Sequence, residues 1–238
     1  MSTQAHEPHE HTNYTPKDPS MGMKVFKFEV DEAFAKQHNE MLRDSRRLLV
    51  SGLLFGGILV VAGVLVTWLV QPTWSITVGI ALILFGIIMA IVGVAGSKKV
   101  GTAQQLYDRY PLAPAVIAKV NERDVILMAL VNAAIDPQAE PQPALALRTV
   151  TDIPGLEHKK VGAQVPVAAV AGRLQRNSSG PDTWAQISPM PIAWGTPEAE
   201  VVRIARTSIP HDQWTTLQKN IDRLDEVQDT RFDLLRLS

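Results

Sequence analysis

The sequence predicts a membrane α-helical hairpin of two transmembrane helices joined to an α+β soluble domain. The domain reads as a small curved sheet or SH3/OB-like barrel with C-terminal helices. Three observations carry that reading. None of Asp, Glu, Lys, Arg or His occurs between Leu48 and Ser97. Twelve of the 16 prolines fall after residue 100, among apolar runs of strand length. Helix-start signals and a 3-4-3 apolar spacing gather near the end. Whole-chain averages hide this division: over 238 residues the net charge is -1, with 20% charged and 46% hydrophobic types.

Residues 1–22 form the first unit. They lack apolar periodicity and predict a disordered tail. His6, His9 and His11 stand beside Glu7 and Glu10, but Glu10 takes the place of the second His in H-E-x-x-H and Pro8 breaks the helix. A polar tail is expected, not a metal site. Asn13-Tyr14-Thr15 and Asn177-Ser178-Ser179 match the glycosylation pattern, which a cytoplasmic placement leaves unused. Residues 23–47 follow. Phe26, Phe28 and Val30 alternate as in a short strand over residues 24–30, which either joins the C-terminal sheet or lies on the membrane or on a partner. Asp31 then caps a helix over residues 32–47, with Glu32 in its first turn. Ala33, Phe34, Met41 and Leu42 make its thin apolar stripe.

Residues 48–96 are the hairpin. The runs 48–70 and 76–96 each exceed the ~20 apolar residues that span a hydrocarbon core of about 30 Å. The first run begins too far into the chain, and lacks the cleavage pattern, for a removable signal peptide. Only QPTWS (71–75) joins the two, so they run antiparallel. Arg43, Arg46 and Arg47 precede the first run, Lys98 and Lys99 follow the second, and the link is uncharged. The positive-inside rule then places both termini in the cytoplasm and the link outside. Trp68 and Trp74 flank the link, as interfacial anchors or as packing residues. Eight of the 15 glycines lie here. Gly56 and Gly63 are seven apart, as are Gly79, Gly86 and Gly93, and Gly52 adds a G-x-x-x-G with Gly56. Such stripes serve either packing of the two helices on each other or docking of a partner's helix. Without an ionisable side chain the runs offer no ion path, proton relay or haem ligand.

Residues 97–226 are the soluble domain, with 227–238 as a C-terminal tail. After an amphipathic connector (102–110), strands are expected at 115–121, 124–132, 144–150, 165–171 and 183–187, the first two forming a hairpin through Glu122-Arg123. Thr196-Pro197-Glu198 starts a helix carrying Val201, Val202, Ile204 and Ala205. Pro210 starts a second, with Trp214, Leu217, Ile221 and Leu224 at a 3-4-3 spacing. Phe232, Leu234, Leu235 and Leu237 would add a short terminal helix.

Little here points to chemistry. Zero Cys excludes disulfides, thiolate metal sites and Cys nucleophiles. No P-loop, G-x-S-x-G or G-x-G-x-x-G occurs. His38, His158 and His211 stand singly. The near-neutral charge and the scarcity of aromatics in the strands argue against nucleic acid. No enzyme, catalytic residue, cofactor or metal is expected. The loop Glu157-His158-Lys159-Lys160 reads as a solvated turn, or as a contact for anionic headgroups or an acidic partner. ISPMPIAWGTP (187–197) reads as a rigid irregular connection. It is either a buried corner or a recognition surface through Met190 and Trp194.

Together with the two runs, VGAQVPVAAVAG (161–172), ISPMPIAWGTP and IPHDQW (209–214) resemble a corynebacterial and actinobacterial family of uncharacterised two-span membrane proteins with a small cytoplasmic C-terminal domain. The likeness covers the hairpin and most of residues 100–225. It implies an actinobacterial inner-membrane protein and transfers no enzymatic motif. By analogy, such a protein is similar to accessory subunits of assemblies such as the bcc–aa3 respiratory supercomplex. The expected function is a non-catalytic accessory or scaffold subunit of a larger inner-membrane complex, with membrane lipids and integral membrane proteins as partners. The alternative is a membrane-tethered sensor or binding module whose barrel takes a small ligand or soluble protein.

Overall fold

The computed structural model describes residues 21, 23–70, 74–98, 101–136, 139–176 and 182–237. His6, His9, His11, Asn13, Asn177 and Lys99 lie outside them, as does most of the link between the apolar runs.

Two long helices dominate one half: α2 (Glu40–Leu69) and α3 (Trp74–Lys98), preceded by the short α1 (Glu32–His38). At ~1.5 Å per residue, α2 is about 45 Å long. Both long helices are apolar and long enough to cross a membrane. Their outer faces expose Leu54, Ile58, Trp68, Leu84 and Ile91, a surface that water does not favour.

The expected single helix over 32–47 is broken at Asn39. Asp31 caps α1 as predicted, accepting from the N–H groups of Ala33 and Phe34 at 3.0 and 2.9 Å. Asn39 is extended (φ -78°, ψ 105°) and ends α1 through its own N–H to Ala35 O. Its side-chain oxygen then starts α2, accepting from Met41 N at 3.0 Å and Leu42 N at 3.4 Å.

After α4 (Ala103–Arg109), with its Thr102/Gln105 capping box, the chain enters the sheet. The strands β1 (Leu112–Val120), β2 (Val125–Asn132), β3 (Pro143–Val150) and β4 (Gln164–Ala171) are followed by the two-residue β5 (Leu174–Gln175) and β6 (Thr183–Trp184). Then come β7 (Ile187–Pro191), α5 (Ala199–Ser208), α6 (His211–Lys219), α7 (Leu224–Gln228) and β8 (Leu234–Arg236). Six strands form one curled antiparallel half-barrel in the order β7-β4-β1-β2-β3-β8, and β5 and β6 pair separately. The β1–β2 hairpin forms as expected, with a register shift between Ile117 and Lys119. β2 is buried along almost its whole length because both its faces are covered. α6 packs on β1 and β2, while the curl brings β7 across towards β3 on the other side.

Four sequence expectations are corrected. Residues 24–30 are extended but form no strand. The side chain of Gln104 takes their backbone groups instead, bonding Val30 N at 2.9 Å and Phe28 O at 3.0 Å. The expected strand at 183–187 is only the short β6. The true edge strand is the adjacent 187–191, which accommodates Pro189 and Pro191 because an edge needs fewer N–H donors. The residues expected as a terminal helix form β8, and the segment is part of the sheet: Asp233 turns the chain at φ 52° and Leu234–Arg236 pair with β3. Residues 23–47 are not a separate unit either, since Met23, Val30 and Ala35 belong to the domain core. The α5 helix starts slightly later than predicted, with Thr196 Oγ1 accepting from Glu198 N.

Candidate functional site

The glycine stripes face each other. A Cβ on Gly56 would lie 2.6 Å from Gly86 O, and one on Gly86 would lie 2.6 Å from Gly56 O. Gly63 and Gly79 are opposed in the same way, and Gly52 lies against Gly93. All six candidate residues therefore serve the α2–α3 seam, the packing alternative of the two. Trp68 and Trp74 are 79% and 61% exposed, so they sit outside that seam.

Met190 and Trp194 form no recognition surface. Both are 0% exposed, which corrects that expectation. Proline density here produces a buried corner. Trp194 fills the curl, donates through Nε1 to Asp152 O at 2.8 Å, and carries the Arg148 guanidinium 5.2 Å from its ring centroid. Met190 accepts a hydrogen bond from Asn39 Nδ2 at 3.3 Å. Tyr107 donates to Pro191 O at 2.7 Å.

These side chains build a polar joint where α2 leaves the domain. Asn39 is fully buried and bonded on both sides, to the helix it starts and to β7. The buried Glu40 accepts from Thr151 N at 2.8 Å, fixing the first turn of α2 to the end of β3. Burial pulls the Arg148 pKa down, and the carboxylates of Glu40 and Asp44 oppose that shift. Burial likewise pushes the Tyr107 hydroxyl up, so it stays protonated and acts as a donor. The charged loop folds back on the same place: Lys159 Nζ donates to Thr151 O at 2.9 Å and lies 3.7 Å from the Asp152 carboxylate. His158 and Lys160 remain exposed.

Beside the joint lies a groove of about 410 Å³. Its floor is Ile153, Val165 and Ala193, its walls include Phe34 of α1 and Ala199 and Val202 of α5, and Arg203 and Arg206 stand at its rim. Phe34 is held by stacking on His38, with ring centroids 4.0 Å apart. Sequence reasoning missed this site because its lining comes from four separate stretches of ordinary apolar residues. A second hollow of about 500 Å³, around Val25, Tyr110 and Trp184, lies at the opposite end of β4. Among the described residues, no three His, Cys, Asp or Glu side chains group as metal ligands.

The chain is similar to the crystal structure of a putative membrane protein from Corynebacterium diphtheriae. The identity is 52%, the match covers 53% of this chain and 99% of that one, and the TM-score is 0.51. No curated protein matches. Residues 98–225 match the model of a family of proteins of unknown function, DUF3239. That match covers more than half of the sequence, and the chain belongs to this family.

Proposed function

We propose that this protein is a non-catalytic, membrane-tethered binding module. The hairpin spans an inner membrane twice, both termini face the cytoplasm, and the half-barrel domain presents a ligand groove at the membrane surface. The observation that carries the reading is the placement of the groove. Its wall residue Phe34 belongs to α1, the helix that Asn39 ends, and its lip at 154–156 comes shortly after Thr151, which is bonded to α2. Positive flanks and an uncharged link support the orientation. Packing of residues 23–39 and 101–237 into one core supports a same-side arrangement. The likeness to a corynebacterial protein supports an actinobacterial source. The accessory-subunit reading has less support, because the glycines that would dock a partner's helix are used within the hairpin.

Two measurements test this. The chain has no Cys, so single cysteines report cleanly. A membrane-impermeant maleimide should label Thr73→Cys in intact cells and Ser208→Cys only after lysis; the reverse pattern overturns the topology. Native mass spectrometry of the full chain, isolated in discs of its own membrane, should reveal a retained ligand that Ala199→Trp removes. A bare protein mass overturns the binding-module reading.

A further inference from the structure

We propose that the 410 Å³ groove holds an acyl chain of an anionic membrane lipid, with the headgroup on Arg206. This rests on the binding-module reading above and names the ligand. The volume falls within the range of about 300–1,000 Å³ common for small-molecule sites, and the floor and walls are mainly hydrocarbon, with Gln164 and Thr196 as the uncharged polar members. No Asp or Glu lines the groove, and two arginines do. They are not equivalent. Arg203 is held by Glu200, with Nε to Oε2 at 2.8 Å and Nη2 to Oε1 at 2.5 Å. Arg206 has no carboxylate within ion-pair distance among the described residues. It lies four residues after Val202, on the same face of α5, so an apolar wall leads directly to an uncommitted guanidinium. That order, hydrocarbon first and a bidentate cation at the mouth, is the complement of an acyl chain with a phosphate or carboxylate head. The source is the bilayer, because the groove's lip is bonded through Thr151 to the first turn of the helix that enters it.

The test uses the full chain in phosphatidylcholine discs. The discs are doped either with phosphatidic acid bearing a diazirine in one acyl chain or with the matching phosphatidylcholine probe. After photolysis, the phosphatidic acid probe should label peptides containing residues 153–156 and 199–206 several-fold more than its zwitterionic counterpart. Arg206→Gln should reduce that labelling about tenfold, the loss expected for one charge-assisted contact. Ala199→Trp, at an exposed position, should block it while the melting temperature is unchanged. Arg46→Gln, a basic change outside the groove, should have no effect. Equal labelling by both probes, indifference to Arg206→Gln, or labelling confined to α2 and α3 overturns the proposal. A retained ligand that proves neutral or water-soluble sinks this proposal and leaves the binding-module reading standing. A bare protein mass removes both.

Discussion

The helix pair and the half-barrel domain are held together by opposite means. The seam of α2 and α3 depends on atoms that are missing: three opposed glycine pairs bring backbone against backbone. The domain depends on atoms that are present. Large side chains such as Trp194, Leu127, Leu130 and Leu217 fill its core on the two faces of the sheet, and a few polar groups are bonded within it. The first region should fail by addition and the second by subtraction. The proposed membrane setting accounts for this, because hydrophobic burial gives no advantage between helices in hydrocarbon and close contact must substitute for it. In water, the removal of apolar surface is the main drive.

The strongest challenge to this contrast is Trp194→Ala. It should cost the domain about 3–5 kcal/mol, read as a shift in the denaturation midpoint of the full chain in discs. A loss below about 1 kcal/mol would mean that the curl is not organised around that ring. Next comes the seam. Gly56→Leu should weaken the helix pair by about 1–3 kcal/mol in a detergent-denaturation titration, because its Cβ meets a carbonyl at 2.6 Å. Its neighbour Gly57, with nothing within 4 Å of a built Cβ, should accept leucine without loss. Equal effects at the two positions would show that the seam is not where destabilisation arises. Gly195→Ala sharpens the rule by testing an exception. In the domain it too should fail by addition, because its Cβ lies 2.7 Å from the Tyr107 ring, again at a cost of about 1–3 kcal/mol. Asn39→Ala should remove a cap worth about 1 kcal/mol, seen as faster hydrogen exchange at Met41 and Leu42. At the bottom of the scale, Arg223→Gln breaks an exposed ion pair with Glu226 and should leave the melting curve unchanged.

How far the sequence announced this molecule depends on the range of the interactions involved. The hairpin was legible because a charge gap is local and unambiguous, and the seam because sevenfold spacing repeats on one face. The β1–β2 turn and the Asp31 cap were legible for the same reason. Residues 24–30 were misread because the group that satisfies them, Gln104, lies 74 positions away from Val30. β7 was hidden by its prolines, which are tolerated only because that strand ends up on an edge, a fact of topology. Asn39-Glu40 was a readable helix start that the continuous apolar stripe of residues 33–42 obscured. Met190 and Trp194 were rightly singled out, but the sequence left open whether they made a buried corner or an outward surface, since rigidity and burial leave the same compositional trace. The groove left no trace at all: Arg206 is one arginine among several on an amphipathic helix until Phe34 and Ile153 are brought beside it.

The core also fixes an order of events. Met23, Val30 and Ala35 belong to it, and the elements from α4 onward form the rest, with α2 and α3 between them in the chain. During synthesis the first contributors emerge before the hairpin, and the edge strand β8 emerges last. The early segment has nothing to fold against until both long helices have been delivered and the sheet has followed. On the proposed two-span topology, insertion of the hairpin is thereby a step inside the folding of the domain, and a nascent chain halted after α3 would carry an orphaned apolar segment at its front.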